Sequence, residues 1–113
     1  MTRYLISFDE GAMTFPDEEL PEVDEAAHVV VREAQDKGAW IFGGGLTPHE
    51  EARQVATDGT VSEVPNPESK KHLGGFAIVD VASREQALEW ASKFAVACRC
   101  VQEVRELLFD PSV

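Results

Sequence analysis

One stretch limits what this chain can fold into more than any other. His72 to Ala95 reads HLGGFAIVDVASREQALEWASKFA and sets a buried-type strand, a helix start and an amphipathic helix in immediate succession. Phe76-Ala77-Ile78-Val79-Asp80-Val81 is a short apolar run rich in β-formers, punctuated at its start by Leu73-Gly74-Gly75. Ser83 stands three residues before Gln86. In that pattern a hydroxyl takes an orphan N–H of the first helical turn while the amide side chain reaches back. Ala87, Ala91, Phe94, Ala95 and Cys98 then fall on one helical face, which predicts the buried side of a helix.

Before this stretch, Arg3 to Asp9 alternates Tyr4, Ile6 and Phe8 against Leu5, Ser7 and Asp9, a strand with one strongly apolar and one mixed face. A loop is expected from Glu10 to about Glu22, with Gly11, Pro16 and Pro21 as breakers. A first helix should run from about Asp24, its cap, to Lys37, burying Val23, Ala27, Val30, Val31 and Ala34. Gly38 suits the left-handed residue beyond its end. Val29 lies roughly 140° from the centre of the buried face, so it should be exposed or covered by a second subunit. Ala39 to Phe42 reads as a short strand ended by Gly43-Gly44-Gly45. The three glycines lack the Lys-Ser/Thr of a phosphate loop and are read as a turn needing positive φ or close backbone approach.

Ala52–Thr57 and Thr60–Val64 flank Asp58-Gly59 as a hairpin. Pro65–Ser69 is a loop, Lys70-Lys71-His72 is a compact basic group, and Val101–Phe109 is the last strand. The order predicts a single α+β domain over residues 1–113, a ferredoxin-like βαββαβ sandwich with a hairpin insertion. Two helices on one sheet face leave the other bare. Yet the Phe76–Val81 run carries apolar residues on both faces, Phe76 and Ile78 against Ala77, Val79 and Val81, so a homodimer through the sheet faces is expected.

The net charge of −11 and the lack of a Lys/Arg stripe argue against nucleic-acid binding. No run approaches the roughly 18 apolar residues needed to span a bilayer, and no secretory leader pattern opens the chain, so no membrane association and a cytoplasmic location are expected. Eight acidic residues and no basic one lie between Asp9 and Glu25. Cys98 and Cys100, separated by one residue, close a disulfide poorly and fall short of a zinc site, so they read as small packing thiols.

Gly45-Leu46-Thr47-Pro48, the Asp58-Gly59 hairpin, Lys71-His72-Leu73-Gly74-Gly75-Phe76, Ala87-Leu88-Glu89-Trp90-Ala91 and Glu103-Val104-Arg105 occur in the order expected of YCII-related proteins, and the chain resembles their DGPF-type branch. The resemblance implies a ferredoxin-like fold that dimerises through its sheets as an α/β barrel. The branch's Asp-Gly-Pro-Phe signature should fall near Glu63-Val64-Pro65-Asn66, where only the proline survives. YCII-like relatives also pair a histidine on the first helix with a late aspartate. His28 falls at the helix position, but Phe94-Ala95-Val96-Ala97-Cys98 offers no aspartate.

His28 sits at the edge of the buried face, about 120° from its centre, where it can face a cleft and act as general acid or base. Asp24, one turn earlier, can orient it. Arg105 and Glu103 share one face of the last strand and are read as an interface or surface ion pair. His49 and His72 are read as solvent-exposed, no metal site is expected, and no cofactor fingerprint or nucleophile elbow appears. Two functions follow: a small-molecule-binding protein or enzyme using His28 in a pocket between helices and sheet, or a non-catalytic accessory module acting through a protein partner, such as one associated with a sigma factor.

Overall fold

The computed structural model describes residues 1–63 and 72–113. In chain order it contains β1 (Thr2–Asp9), a 3-10 turn (Asp17–Glu19), α1 (Leu20–Asp36), β2 (Trp40–Gly45), a second 3-10 turn (His49–Glu51), β3 (Arg53–Val55), β4 (Val61–Glu63), β5 (Leu73–Val81), α2 (Arg84–Cys98) and β6 (Glu103–Glu106). Four strands form one antiparallel sheet in the order β2-β5-β1-β6, and β3 and β4 pair separately. The fold is α+β, and the sheet of a single chain is open rather than closed into a barrel.

Register decides what each sheet face carries. Tyr4 lies opposite Val79, and Ile6 opposite Ala77 and Val104. With Val81 they meet Val30 and Ala34 of α1 and Ala87, Trp90, Ala91 and Phe94 of α2 in one core cluster. Ile6 and Val79 are the largest fully buried side chains. Truncating Ile6 to alanine at the sheet centre should cost about 2–5 kcal/mol, the lost transfer energy plus the cavity left behind. Leu5 lies opposite Ile78 and Arg105, Ser7 opposite Phe76 and Glu103, and Phe42 opposite Ile78. These residues point away from the helices, and among the described residues no helix covers them, although Ser7 itself is buried.

The α2 start forms as its sequence predicts. Ser83 Oγ accepts from the Gln86 N–H at 3.2 Å, and Gln86 Oε1 accepts from the Ala82 N–H at 2.9 Å. Trp90 joins the buried face, to which it belongs three residues after Ala87. Arg99 caps the far end in the left-handed conformation at φ 58°. There its guanidinium bonds Glu19, lies 3.8 Å from Glu22 and sits over the Phe15 ring, tying α2 to the start of α1. Lys93 of α2 bonds Glu33 of α1 in the same way.

Several expectations are corrected. Helix α1 begins at Leu20, and Asp24 lies inside it instead of capping it. Pro21 is the reason: in the first helical turn a missing N–H costs nothing and a fixed φ helps, so Pro21 starts the helix rather than breaking it. Gly38 does adopt positive φ, 72°, and Val29 is exposed. Gly43, Gly44 and Gly45 are strand residues paired with Ala77, Phe76 and Gly75, none at positive φ; close backbone approach is real at Gly43 alone among them, where a Cβ would lie 2.5 Å from the Phe76 carbonyl oxygen. Likewise Gly74 and Gly75 belong to β5 and do not precede it. The hairpin strands and β6 are shorter than expected, the former around a turn in which Gly59 has φ 88° and the Thr60 N–H donates to Asp58. Val64, the Pro65–Ser69 loop, Lys70 and Lys71 lie outside the described residues.

Candidate functional site

Between α1, α2 and the β2 half of the sheet lies a cavity of about 350 Å³. Its walls follow from three local features. Strand alternation turns Phe8 and Trp40 toward the helices, where Trp40 meets the Phe94 ring with centroids 6.3 Å apart. The loop after β1 brings Met13 over one side, and α1 supplies Val23, Asp24, Ala27, His28 and Val31. The third feature is the missing side chains of β2. Gly45 lies on the helix-facing side opposite Gly75, and a Cβ built on it would meet nothing within 4 Å, so that part of the wall is bare backbone bordering open space.

His28 is exposed at the rim with Asp24 one turn away, and both line the cavity. No hydrogen bond joins them in the structure, so the orienting role expected of Asp24 is not realised there. Cys98 and Gln102 complete the polar lining. Desolvation, with the nearby Cys100 and Asp24 adding to it, pushes the Cys98 thiol up to about 11, so it stays protonated and is a poor nucleophile at neutral pH. The Cys100 thiol is also raised by burial, with the Gln102 amide, 3.4 Å from its sulfur, opposing the shift.

Arg105 and Glu103 are not part of this site. Both stand on the uncovered face of the sheet, across from Leu5 and Ser7. His49 and His72, expected as separate exposed residues, are half-buried and stacked, and the His49 backbone N–H donates to both Glu10 carboxylate oxygens at 3.1 and 3.2 Å. Sequence reasoning missed the cavity-lining roles of Trp40, Met13 and Gln102. The position of Trp40 was available from alternation, whereas the loop that carries Met13 has no periodicity to read. Among the described residues no group of three or more His, Cys, Asp or Glu side chains is placed to hold a metal ion, and no helix is long and apolar enough to cross a membrane.

An antiparallel sheet backed by two helices, with a hollow between helices and sheet, defines a small α+β domain. The family model for the YCII-related domain matches residues 4–108, nearly the whole chain, and the protein belongs to that family. The match bears on no narrower branch. No curated protein matches the chain.

Proposed function

We propose that this YCII-related protein binds a small organic molecule in the cavity between its helices and sheet, with His28 as the acid or base that exchanges a proton with it. The observation that carries this reading is the convergence of His28, Asp24 and Gln102 on a mostly apolar hollow of about 350 Å³, a size suited to a compact ligand. Gly45→Val tests it. The new side chain occupies open space without straining the backbone, so ligand-induced shifts in a heteronuclear NMR spectrum, seen for the parent protein with a small-molecule library, should vanish in a variant of unchanged fold. A library that leaves the signals of Trp40 and His28 unmoved in the parent protein sinks the reading.

The strand order β2-β5-β1-β6 with two helices on one face supports a ferredoxin-like sandwich. We place the homodimer at its uncovered face, where the Phe42 and Phe76 rings lie 6.0 Å apart beside Leu5 and Ile78 and Phe42 is 62% exposed. Around this patch Arg3 and Arg105 balance Asp80 and Glu103, so two copies can meet there without a charge penalty despite the −11 of each chain. Pairing of the two sheets gives the dimeric α/β barrel. The accessory-module alternative has one observation in its favour, an open groove between α1 and α2 carrying Val29 and Val96. It is the lesser reading, because the charged groups along the groove, Glu22, Glu33, Lys93 and Arg99, already answer one another in ion pairs.

A further inference from the structure

The lining of the cavity also selects by charge. Among the described residues that form it, the one formal charge is the Asp24 carboxylate, and no lysine or arginine is present. Asp24 has no cationic partner among the described residues. Arg99 answers Glu19 and Glu22, and Arg32 lies 2.8 Å from Glu25, but neither reaches Asp24. The Cys98 thiol is held neutral, so it adds no second negative charge. The same lining holds the aromatic residues Phe8, Trp40 and Phe94, together with Phe76, and aromatic faces attract cations while their bodies accept flat apolar ligands. An anion entering here would meet a carboxylate with no counter-charge. An ammonium would gain both the carboxylate and the rings. The segment that supplies Met13, Val23 and Asp24 adds a long-range field of the same sign, since residues 9–25 hold eight acids and no base.

We propose that the cavity takes a small amine with an aromatic or compact apolar body, its ammonium against Asp24 and its body between Phe8, Trp40 and Phe94. This rests on the pocket reading above and adds the class of ligand.

The test uses three probes of nearly equal shape, phenethylamine, phenethyl alcohol and phenylacetate, titrated into the full chain by calorimetry and NMR. The amine should bind about threefold to tenfold more tightly than the alcohol, since the exposed Asp24 carboxylate and the aromatic faces each favour a cation, and phenylacetate should bind least. Asp24→Asn should remove the advantage of the amine and leave alcohol binding unchanged. Alcohol or phenylacetate binding as tightly as the amine overturns the amine assignment while leaving the pocket reading intact. An amine advantage that survives Asp24→Asn also overturns it, by placing the attraction on the acidic surface instead of this carboxylate. Failure of all three probes to bind overturns the assignment together with the pocket.

Discussion

The His49 and His72 rings stack with centroids 3.4 Å apart and planes 13° from parallel, pinning the loop after β2 to the start of β5. The backbone reinforces the clamp: the Glu10 N–H donates to the His72 carbonyl at 2.7 Å, and the Leu46 N–H to the Gly74 carbonyl at 2.9 Å. His49 Nε2, however, is buried with no hydrogen-bond partner. On the His49 side the side chain contributes through its π-face, and its Nε2 is a liability. His49→Phe, which keeps the stack and removes the orphan nitrogen, should leave stability unchanged or raise it by about 1 kcal/mol. His72→Ala should lower it by about 1 kcal/mol through loss of the stack. Urea unfolding near neutral pH measures both, and an equal loss in the two variants contradicts the account.

Two glycines of β2 should respond oppositely to a side chain. Gly43→Ala sets a Cβ 2.5 Å from the Phe76 carbonyl oxygen and 2.9 Å from the Ala77 Cα, contacts with backbone that cannot step aside. A loss of about 1–3 kcal/mol is expected, the range for overpacking. Gly45→Ala meets nothing and should be neutral to within about 0.5 kcal/mol. Thermal unfolding of the pair distinguishes a strand whose glycines serve different ends from one in which they are interchangeable.

The uncovered sheet face is tested by Phe42→Asp. Phe42 is exposed in the single chain, so the substitution should barely affect folding while removing an anchor of the proposed interface. The substitution removes one aromatic from each copy, about 1.5–3 kcal/mol apiece, which corresponds to a dissociation constant weaker by about two to four powers of ten. Sedimentation velocity across a dilution series reads this directly. A parent protein that stays monomeric at the highest concentration rules out the dimer.

The Cys98 thiol carries a pH signature. Its folded pKa is raised from 9.0 to about 11, chiefly by desolvation, so the native state holds this proton more firmly than the unfolded chain does. The contribution to stability is complete below about pH 9 and is lost as pH climbs toward about 11, because there the unfolded state ionises first. Denaturant unfolding over this window should fall more steeply for the parent protein than for Cys98→Ala. Alkylation in the native state should label Cys100, the more accessible thiol, before Cys98.

How much of this was legible in the residues depends on what each signal encodes. The β5–α2 unit was plain, because Ser83 and Gln86 mark the helix start chemically and the Phe76–Val81 run has no helical alternative of sufficient length. Asp24 misled because Pro21 looks like a breaker wherever it stands, and only the helix register shows that it occupies the first turn. The β2 glycines hid a strand because glycine has no side chain to signal one; their pairing comes from β5, a partner thirty residues away. His28 could be placed at the edge of α1 by angle alone. The hollow it faces could not, since a void is set by where Phe8, Trp40, Met13 and Gln102 end in space and by the side chain Gly45 lacks. The His49–His72 stack was invisible for a similar reason, as loop residues carry no period that would bring them together.

The near-neutral rim of the sheet face, set in a molecule of net charge −11, has an outcome for self-association. In the proposed dimer two such chains would repel at a distance through their net negative charge and cohere only once their greasy faces touch. Added electrolyte shortens the reach of that repulsion, to about 10 Å at 0.1 M, without weakening the contact itself. Assembly of this protein should therefore tighten as ionic strength rises, the reverse of a complex held by opposite charges.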